Sequence, residues 1–235
     1  MRSSKLISIV IPAHDEQENI AAIHSEIRAH VTDYPAEIIF VDDGSGDNTA
    51  ENVRSLQAAD PLVRLLRLSR NFGHQAALLA GIQAARGAAV ITMDCDLQHP
   101  PELLPQMLDA WQNGMPVVQM VRRDTLGVTW IKKKTSALFY CFLQLLSDSP
   151  VVPGAADFQL LDRKVVEALF SLKDRRPFLC GLVSWLGFPA HKIEYVAGNR
   201  HAGNSSYSVS RMLRLSVDAG ASPEDSQQVQ SFSDI

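Results

Sequence analysis

The chain has 235 residues, a formal net charge of −4 and an isoelectric point of about 6.0. Hydrophobic residues make up 46 % and charged residues 20 %, a globular balance that excludes collagen-like, disordered and disulfide-scaffold classes. It also excludes a global basic footprint for nucleic acid, so any anionic partner must be held by local clusters. In chain order, residues 6–11 predict a buried strand ended by Pro12. Residues 17–30 predict a helix with Ile20, Ile23, Ile27 and Val31 at helical spacing. Residues 37–41 predict a second strand that ends in two acids. A helix over 48–58, a strand over 63–68, an Ala/Leu-rich helix over 75–85 and a strand over 88–93 follow, the last again ending in acids. Two prolines open a helix over 101–112, and 117–121 predict a fifth strand. This alternation predicts an α/β fold, a parallel sheet with helices on both faces. The second half is less regular: a helix over 130–146, a short strand over 158–161, a helix over 163–172, a strand over 191–196, a polar loop over 198–206 and a helix over 207–218. The polar, aperiodic stretch 220–235 is expected to be disordered.

The three cysteines, Cys95, Cys141 and Cys180, are odd in number and far apart, which predicts reduced thiols in a cytosolic protein. The first apolar run is too short for a signal peptide. The stretches 137–146 and 178–190 fall short of the roughly 18 residues that span a bilayer. Neither P-loop, EF-hand nor GxGxxG spacing occurs.

Three motifs carry chemistry. In MDCDLQ, Asp94 and Asp96 are two apart at a strand end, a spacing of hard oxygens that suits Mg²⁺ or Mn²⁺ bridged to phosphate, with Gln98 as a further oxygen. A bare D-x-D is equally an acidic turn. In VDDGSGDNT, Asp42 and Asp43 end a strand before a Gly/Ser turn, and Asp47 or Asn48 is a helix cap. In IPAHDEQEN, Asp15 and Glu16 stand at a helix entrance, where the dipole favours acids. Gly73 and His74, taken alone, are a helix start, with no catalytic role for His74.

The ordered set IPAHDE, VDDGSGDNT, NFGHQAALLAGI and DCDLQHPPE closely resembles the family 2 glycosyltransferases of GT-A fold, over about residues 7–215. Within them it is most similar to dolichol-phosphate mannose synthases and bactoprenol glucosyltransferases. The resemblance implies a Rossmann-like, mostly parallel sheet with an irregular acceptor side. One domain would span 1–219, with its donor half at about 1–121 and its acceptor half at 122–219. Pro12, Ala13, Glu16, Asp43, Gly73 and Asp94 would line the nucleotide-sugar donor. Asp94, Asp96 and Gln98 would hold Mg²⁺ or Mn²⁺. Asp157, in GAADFQLLDR, matches an acid that in many relatives deprotonates the acceptor, and Asp96 and Arg122 complete the catalytic set. Arg123, Lys132, Ser136 and Arg200 would hold the phosphate of a polyprenyl acceptor, beside an apolar helix face suited to peripheral contact with a membrane. Asp162 and Arg163 are structural.

Three positions depart from the family pattern by losing a cation: Gln159, Cys180 and Ser206. Relatives also continue into two transmembrane helices where this chain turns polar. Three expectations therefore stand: a lipid-phosphate glycosyltransferase at the cytoplasmic membrane face, a glycosyltransferase with a soluble acceptor, and a nucleotide-sugar-binding protein with little turnover. The oligomeric state, a homo-oligomer included, stays open.

Overall fold

Short runs of aliphatic and β-branched residues, buried on both sides, build the centre of the molecule. The computed structural model describes residues 5–122, 155–172 and 179–196, all within the unit Met1–Gly203. Strand β1, Ile7–Ala13, and strand β2, Ala36–Asp42, are buried at every residue. Such unbroken burial requires helices on both faces of a sheet. Strands β3 (Val63–Arg67), β4 (Ala89–Thr92), β5 (Val117–Arg122), β6 (Ala155–Asp162) and β7 (Ala190–Tyr195) complete it. The seven strands lie in the order β3-β2-β1-β4-β6-β5-β7. All pairings are parallel except those of β6, which runs antiparallel to both β4 and β5.

Helices α1 (Ile20–His30), α2 (Thr49–Ala59) and α4 (Leu104–Gln112) cover one face. Ile20, Ile23, Ile27, Val53, Leu104, Met107 and Leu108 pack there against Ile9, Ile11, Phe40 and Phe158. On the other face, α3 (His74–Ala84), α5 (Arg163–Ser171) and α6 (Leu179–Trp185) pack Leu78, Ile82, Val166 and Val183 against Val10, Val41, Val90 and Leu161. A short 3₁₀ turn, Pro101–Leu103, precedes α4. Among the described residues no helix is long and apolar enough to cross a membrane.

The end of the sheet where β1–β4 begin is closed by buried polar contacts. Glu37 accepts hydrogen bonds from Ser8 Oγ (2.6 Å), the Arg86 N–H (2.7 Å) and Arg64 Nη1 (2.9 Å). Arg163 donates to the carbonyls of Ala85 and Gly87. Asp162 caps α5 through the Lys164 N–H and accepts from Trp111 Nε1 at 2.7 Å. The structural reading of Asp162 and Arg163 therefore holds.

Several boundaries differ from the sequence expectations. Pro12 does not end its strand; β1 continues to Ala13. Odd residues of β1 bond toward β2, as in Ile7 N–H to Pro35 O and Asp43 N–H to Ala13 O, and even ones toward β4, as in Met93 N–H to Val10 O. The N–H that Pro12 lacks would face β4, which has already ended at Thr92. Helix α1 starts at Ile20, not residue 17; the N–H groups of Asp15, Glu16 and Gln17 donate instead to the 45–49 segment, to Ser45, Thr49 and Asp47. Strand β6 runs over eight residues where four are expected, and α6 forms within the apolar stretch 178–190, for which no helix is expected. The expected helices over 130–146 and 207–218, the loop over 198–206 and the stretch 220–235 lie outside the described residues.

Candidate active site

Parallel strands point their carboxyl ends to one edge, where ligands bind in open α/β sheets. The 13–16, 43–49 and 93–98 segments all leave the sheet there. Strand β6 is antiparallel, so the same edge receives its beginning. The β4–β6 register ends by pairing Thr92 with Gln159, which brings the start of β6, with Asp157, to the edge where the Asp94–Asp96 turn leaves β4. The β5–β6 register shifts between Gln119 and Val121, so that Gln119 faces Gln159 but Val121 faces Ala155. Asp157 thus lies where the β5–β6 ladder changes register, among the three residues of β6 that stand opposite Met120. The Thr92 hydroxyl donates to the carbonyl of Asp157 at 2.5 Å.

The D-x-D turn is rigidly held. Leu97 has φ of +63°, a left-handed conformation costly for a branched side chain, about 1–3 kcal/mol. Its side chain packs on the core. The Gln98 N–H donates to Asp96 Oδ1 at 3.0 Å, and the Asp94 N–H donates to His99 Nδ1 at 2.9 Å. With Nδ1 accepting, the neutral ring of His99 carries its hydrogen on Nε2, 3.5 Å from Asp94 Oδ2. His99 is buried and stacked on Phe158, centroids 4.9 Å apart. Cys95 faces the core. Burial, with the charges of Glu16, Asp96 and Asp94, lifts its thiol well above the ordinary range, which makes it packing rather than a ligand. Asp94 is open to solvent, its side chain 37 % exposed, whereas Asp96 is buried. Among the described residues no three His, Cys, Asp or Glu side chains cluster as a metal cage.

Asp157 has three side-chain partners. His74 Nε2 lies 3.1 Å from Oδ2, Gln75 Nε2 donates to Oδ2 at 2.7 Å, and Cys180 Sγ donates to Oδ1 at 3.3 Å. Burial opposes the charge of Asp157, but His74, Cys180 and Gln75 outweigh it and hold the carboxyl below its usual range. Burial likewise opposes a charged His74. The hydrogen bond to Asp157 and the fields of Asp94, Asp157 and Asp43 win, and its imidazole titrates above the ordinary value. Burial and Asp157 push the Cys180 thiol up.

The other motifs meet at this edge. Pro12 and Ala13 end β1 in register with Val41 and Asp42. Asp43 turns its carboxylate onto backbone: Oδ1 accepts from the Phe72 N–H (2.7 Å) and Oδ2 from the Gly73 N–H (2.9 Å). Gly73, with φ of +96°, is the residue from which α3 starts, as expected. Glu16 stands just ahead of α1 and accepts from Nδ2 of its N-cap residue Asn19 at 2.5 Å. Asp47, one residue ahead of the N-cap Asn48 of α2, accepts from the Thr49 N–H at 2.9 Å. Arg122 ends β5 in register with Tyr195. Burial raises the phenol of Tyr195 to about 12, against the pull of Arg122. Arg123, Lys132, Ser136 and Arg200 lie outside the described residues. The structure brings Asp157 to the same edge as the Asp94–Asp96 turn, and beside them stand His74, Gln75 and His99, to which sequence reasoning assigns no role. The signal for the first two was available, since NFGHQ places two polar side chains just after a glycine that starts a helix.

The sequence matches the family model described as Glycosyl transferase family 2 over residues 8–170. It is 41 % identical over 213 residues to the "Uncharacterized glycosyltransferase YkcC" of Bacillus subtilis, covering 90 % of this chain and 66 % of that protein. It is 36 % identical over 214 residues to the "Bactoprenol glucosyl transferase" of Shigella phage SfV, covering 90 % and 70 %. The chain thus spans about two thirds of the length of these curated relatives. Among solved structures, the mannosyltransferase PcManGT from Pyrobaculum calidifontis, in complex with GDP-Man and Mn²⁺, superposes with a TM-score of 0.61 at 19 % identity, covering 90 % of this chain and 61 % of that one. Glucosyl-3-phosphoglycerate synthase from Mycobacterium tuberculosis, in complex with Mn²⁺, UDP-Glc and phosphoglyceric acid, gives 0.60 at 18 %, covering 92 % and 77 %. These two likenesses establish the fold, which is GT-A. The chain belongs to glycosyl transferase family 2.

Proposed function

We propose that this chain is an inverting glycosyltransferase that moves a sugar from a UDP- or GDP-sugar to a polyprenyl phosphate, undecaprenyl or dolichyl. The observation that carries the reading is the meeting at one sheet edge of the Asp94–Asp96 turn with Asp157 from the antiparallel strand. Likeness to the bactoprenol glucosyl transferases supports the lipid acceptor. The GDP-Man and UDP-Glc complexes of the structural neighbours support the donor class.

In this reading Pro12, Ala13, Glu16 and Gly73 surround the base and ribose, and Asp43 acts through the backbone that it holds. Asp94 and Asp96, with Gln98 beside them, hold Mg²⁺ or Mn²⁺. When bound, the ion neutralises charge on the departing nucleoside diphosphate. An acceptor phosphate is already ionised at neutral pH, so its oxygen attacks the anomeric carbon without a base. The bond from that carbon to the diphosphate breaks, and the configuration inverts. Asp157 then orients groups at the acceptor, and its charge is balanced by His74. Arg122 brings a cation to the same edge, where fixed charges act most strongly on developing charge. Arg123, Lys132, Ser136 and Arg200 take the acceptor phosphate, at peripheral contact with the cytoplasmic membrane face.

The test is a turnover assay with purified protein, Mn²⁺ or Mg²⁺, undecaprenyl or dolichyl phosphate and a panel of UDP- and GDP-sugars. Nucleoside diphosphate release and glycolipid are followed, with Asp96→Ala as control. We expect lipid-dependent release that the variant loses. Release only with a soluble acceptor, or donor binding without release, would refute the lipid-transfer reading.

A further inference from the structure

The geometry points to His74 as a positioning residue that registers the donor-side acid Asp94 and the acceptor-side acid Asp157 against each other through one imidazole. This rests on the assignment of those two acids above. His74 Nε2 lies 3.1 Å from Asp157 Oδ2 and 3.6 Å from Asp94 Oδ1. The first distance is a hydrogen bond; the second is electrostatic contact only. One ring nitrogen therefore faces both carboxylates from between them.

The ring is placed from the backbone outward. His74 is the first residue of α3, directly after Gly73. The N–H groups of Phe72 and Gly73 both donate to the Asp43 carboxylate. The close of β2 thereby fixes where α3 begins and where the imidazole projects. The donor-side acid is braced from its other side as well. His99 Nε2 lies 3.5 Å from Asp94 Oδ2, and His99 Nδ1 accepts the Asp94 N–H. Asp94 thus lies between two imidazoles, one buried and one open.

His74 is not a core residue: its side chain is 40 % exposed, and that of Asp94 is 37 % exposed. Asp157 keeps Gln75 and Cys180 as partners when the imidazole is removed. The fold should therefore survive the loss of His74, whereas the registration of the two acids should not. Loss of such an outer partner typically costs about 10–100-fold in activity.

Two arms test the proposal on the full chain. The first needs no turnover: the ¹⁵N chemical shifts of the His74 imidazole are recorded at one pH in wild type, Asp94→Asn and Asp157→Asn, assigned through His74→Gln. We expect the His74 signals to move in both acid variants. A response to one acid alone, or to neither, would overturn the proposal. The second arm measures kcat, acceptor KM and the Kd for UDP-glucose with Mn²⁺ and undecaprenyl phosphate. We expect His74→Ala to lower acceptor kcat/KM about 10–100-fold and to weaken donor binding by a smaller factor, since Asp94 keeps His99, and His74→Gln, which keeps a donor near Nε2, to recover part of both losses. In an Asp157→Asn background, His74→Ala should add little further loss. Losses that multiply instead would show that His74 does not act through Asp157. Wild type that fails to turn over sinks the transfer reading, and the shift arm then decides the registration by itself.

Discussion

Replacing Gly44 by alanine separates two costs that usually arrive together. Gly44 has φ of +69°, and a Cβ there would lie 2.5 Å from Arg70 C, 2.7 Å from the Asn71 nitrogen and 2.8 Å from Arg70 Cα. All three are backbone atoms, which cannot swing aside as a side-chain tip can. Gly114 has φ of +90°, but a Cβ there meets nothing within 4 Å. Gly114→Ala therefore carries only the left-handed penalty, about 1–2 kcal/mol. Gly44→Ala adds an overpacking cost of about 1–3 kcal/mol. In a chain of this length each kcal/mol shifts Tm by about 2–4 °C. We expect Gly44→Ala to melt several degrees below Gly114→Ala in parallel thermal scans, with urea midpoints in the same order. Because Asp43 grips the next two residues of the displaced segment, Phe72 and Gly73, Gly44→Ala should also weaken nucleotide-sugar binding, and Gly114→Ala should not. Equal melting of the two variants would refute the backbone-clash argument.

Two further outcomes can be checked by unfolding. Burial opposes the charge of Glu37, but Ser8, the Arg86 N–H and Arg64 prevail and keep its carboxyl below the usual range. Its stabilisation is therefore present above the unfolded carboxylate pKa, about 4.3, and is lost as pH falls through the lower folded value. Glu37→Gln should cost about 1–3 kcal/mol at pH 7 and flatten the acid limb of the stability profile; an unchanged acid limb would contradict this. Asp162→Ala removes the cap of α5 and the partner of Trp111 Nε1, which should cost about 2–4 kcal/mol. A second change, Trp111→Phe, should add less than it costs alone, because the orphaned indole N–H is gone; full additivity would count against the shared contact.

What the sequence reveals here is what local chemistry determines. Strands ending in Asp42–Asp43 and Asp94–Asp96 are legible because apolar runs, turn residues and acids follow one another within a few positions. The Asp47–Asn48 turn that opens α2 and the Gly73 start of α3 are legible for the same reason. The partners of Asp157 are not, because they depend on where β6 is inserted. No pattern within GAADFQLLDR states that its strand runs antiparallel beside β4, or that its register shift against β5 falls at Asp157, beside the start of α3. His74 alone resembles any helix-start histidine; its two carboxylates come from 20 and 83 residues away in sequence. Helix α6 was hidden because 178–190 is nearly uniformly apolar, which favours no period over another. His99 is legible only as a neighbour of the D-x-D; its tautomer follows from a backbone donor that no sequence displays.

The insertion of β6 between β4 and β5 also sets an order of assembly. Strands β1 to β4 form one contiguous parallel block, built from the first 92 residues. Strand β5 is synthesised next, yet its sheet neighbours are β6 and β7, both made later. Until residues 155–162 emerge from the ribosome, β4 keeps an open edge and β5 has no sheet to join. Open edges of buried strands are templates for wrong pairing, and distant pairings close slowly. The strand that carries Asp157 is thus also the keystone that joins the two parallel blocks, and the acid reaches its place only when the sheet closes.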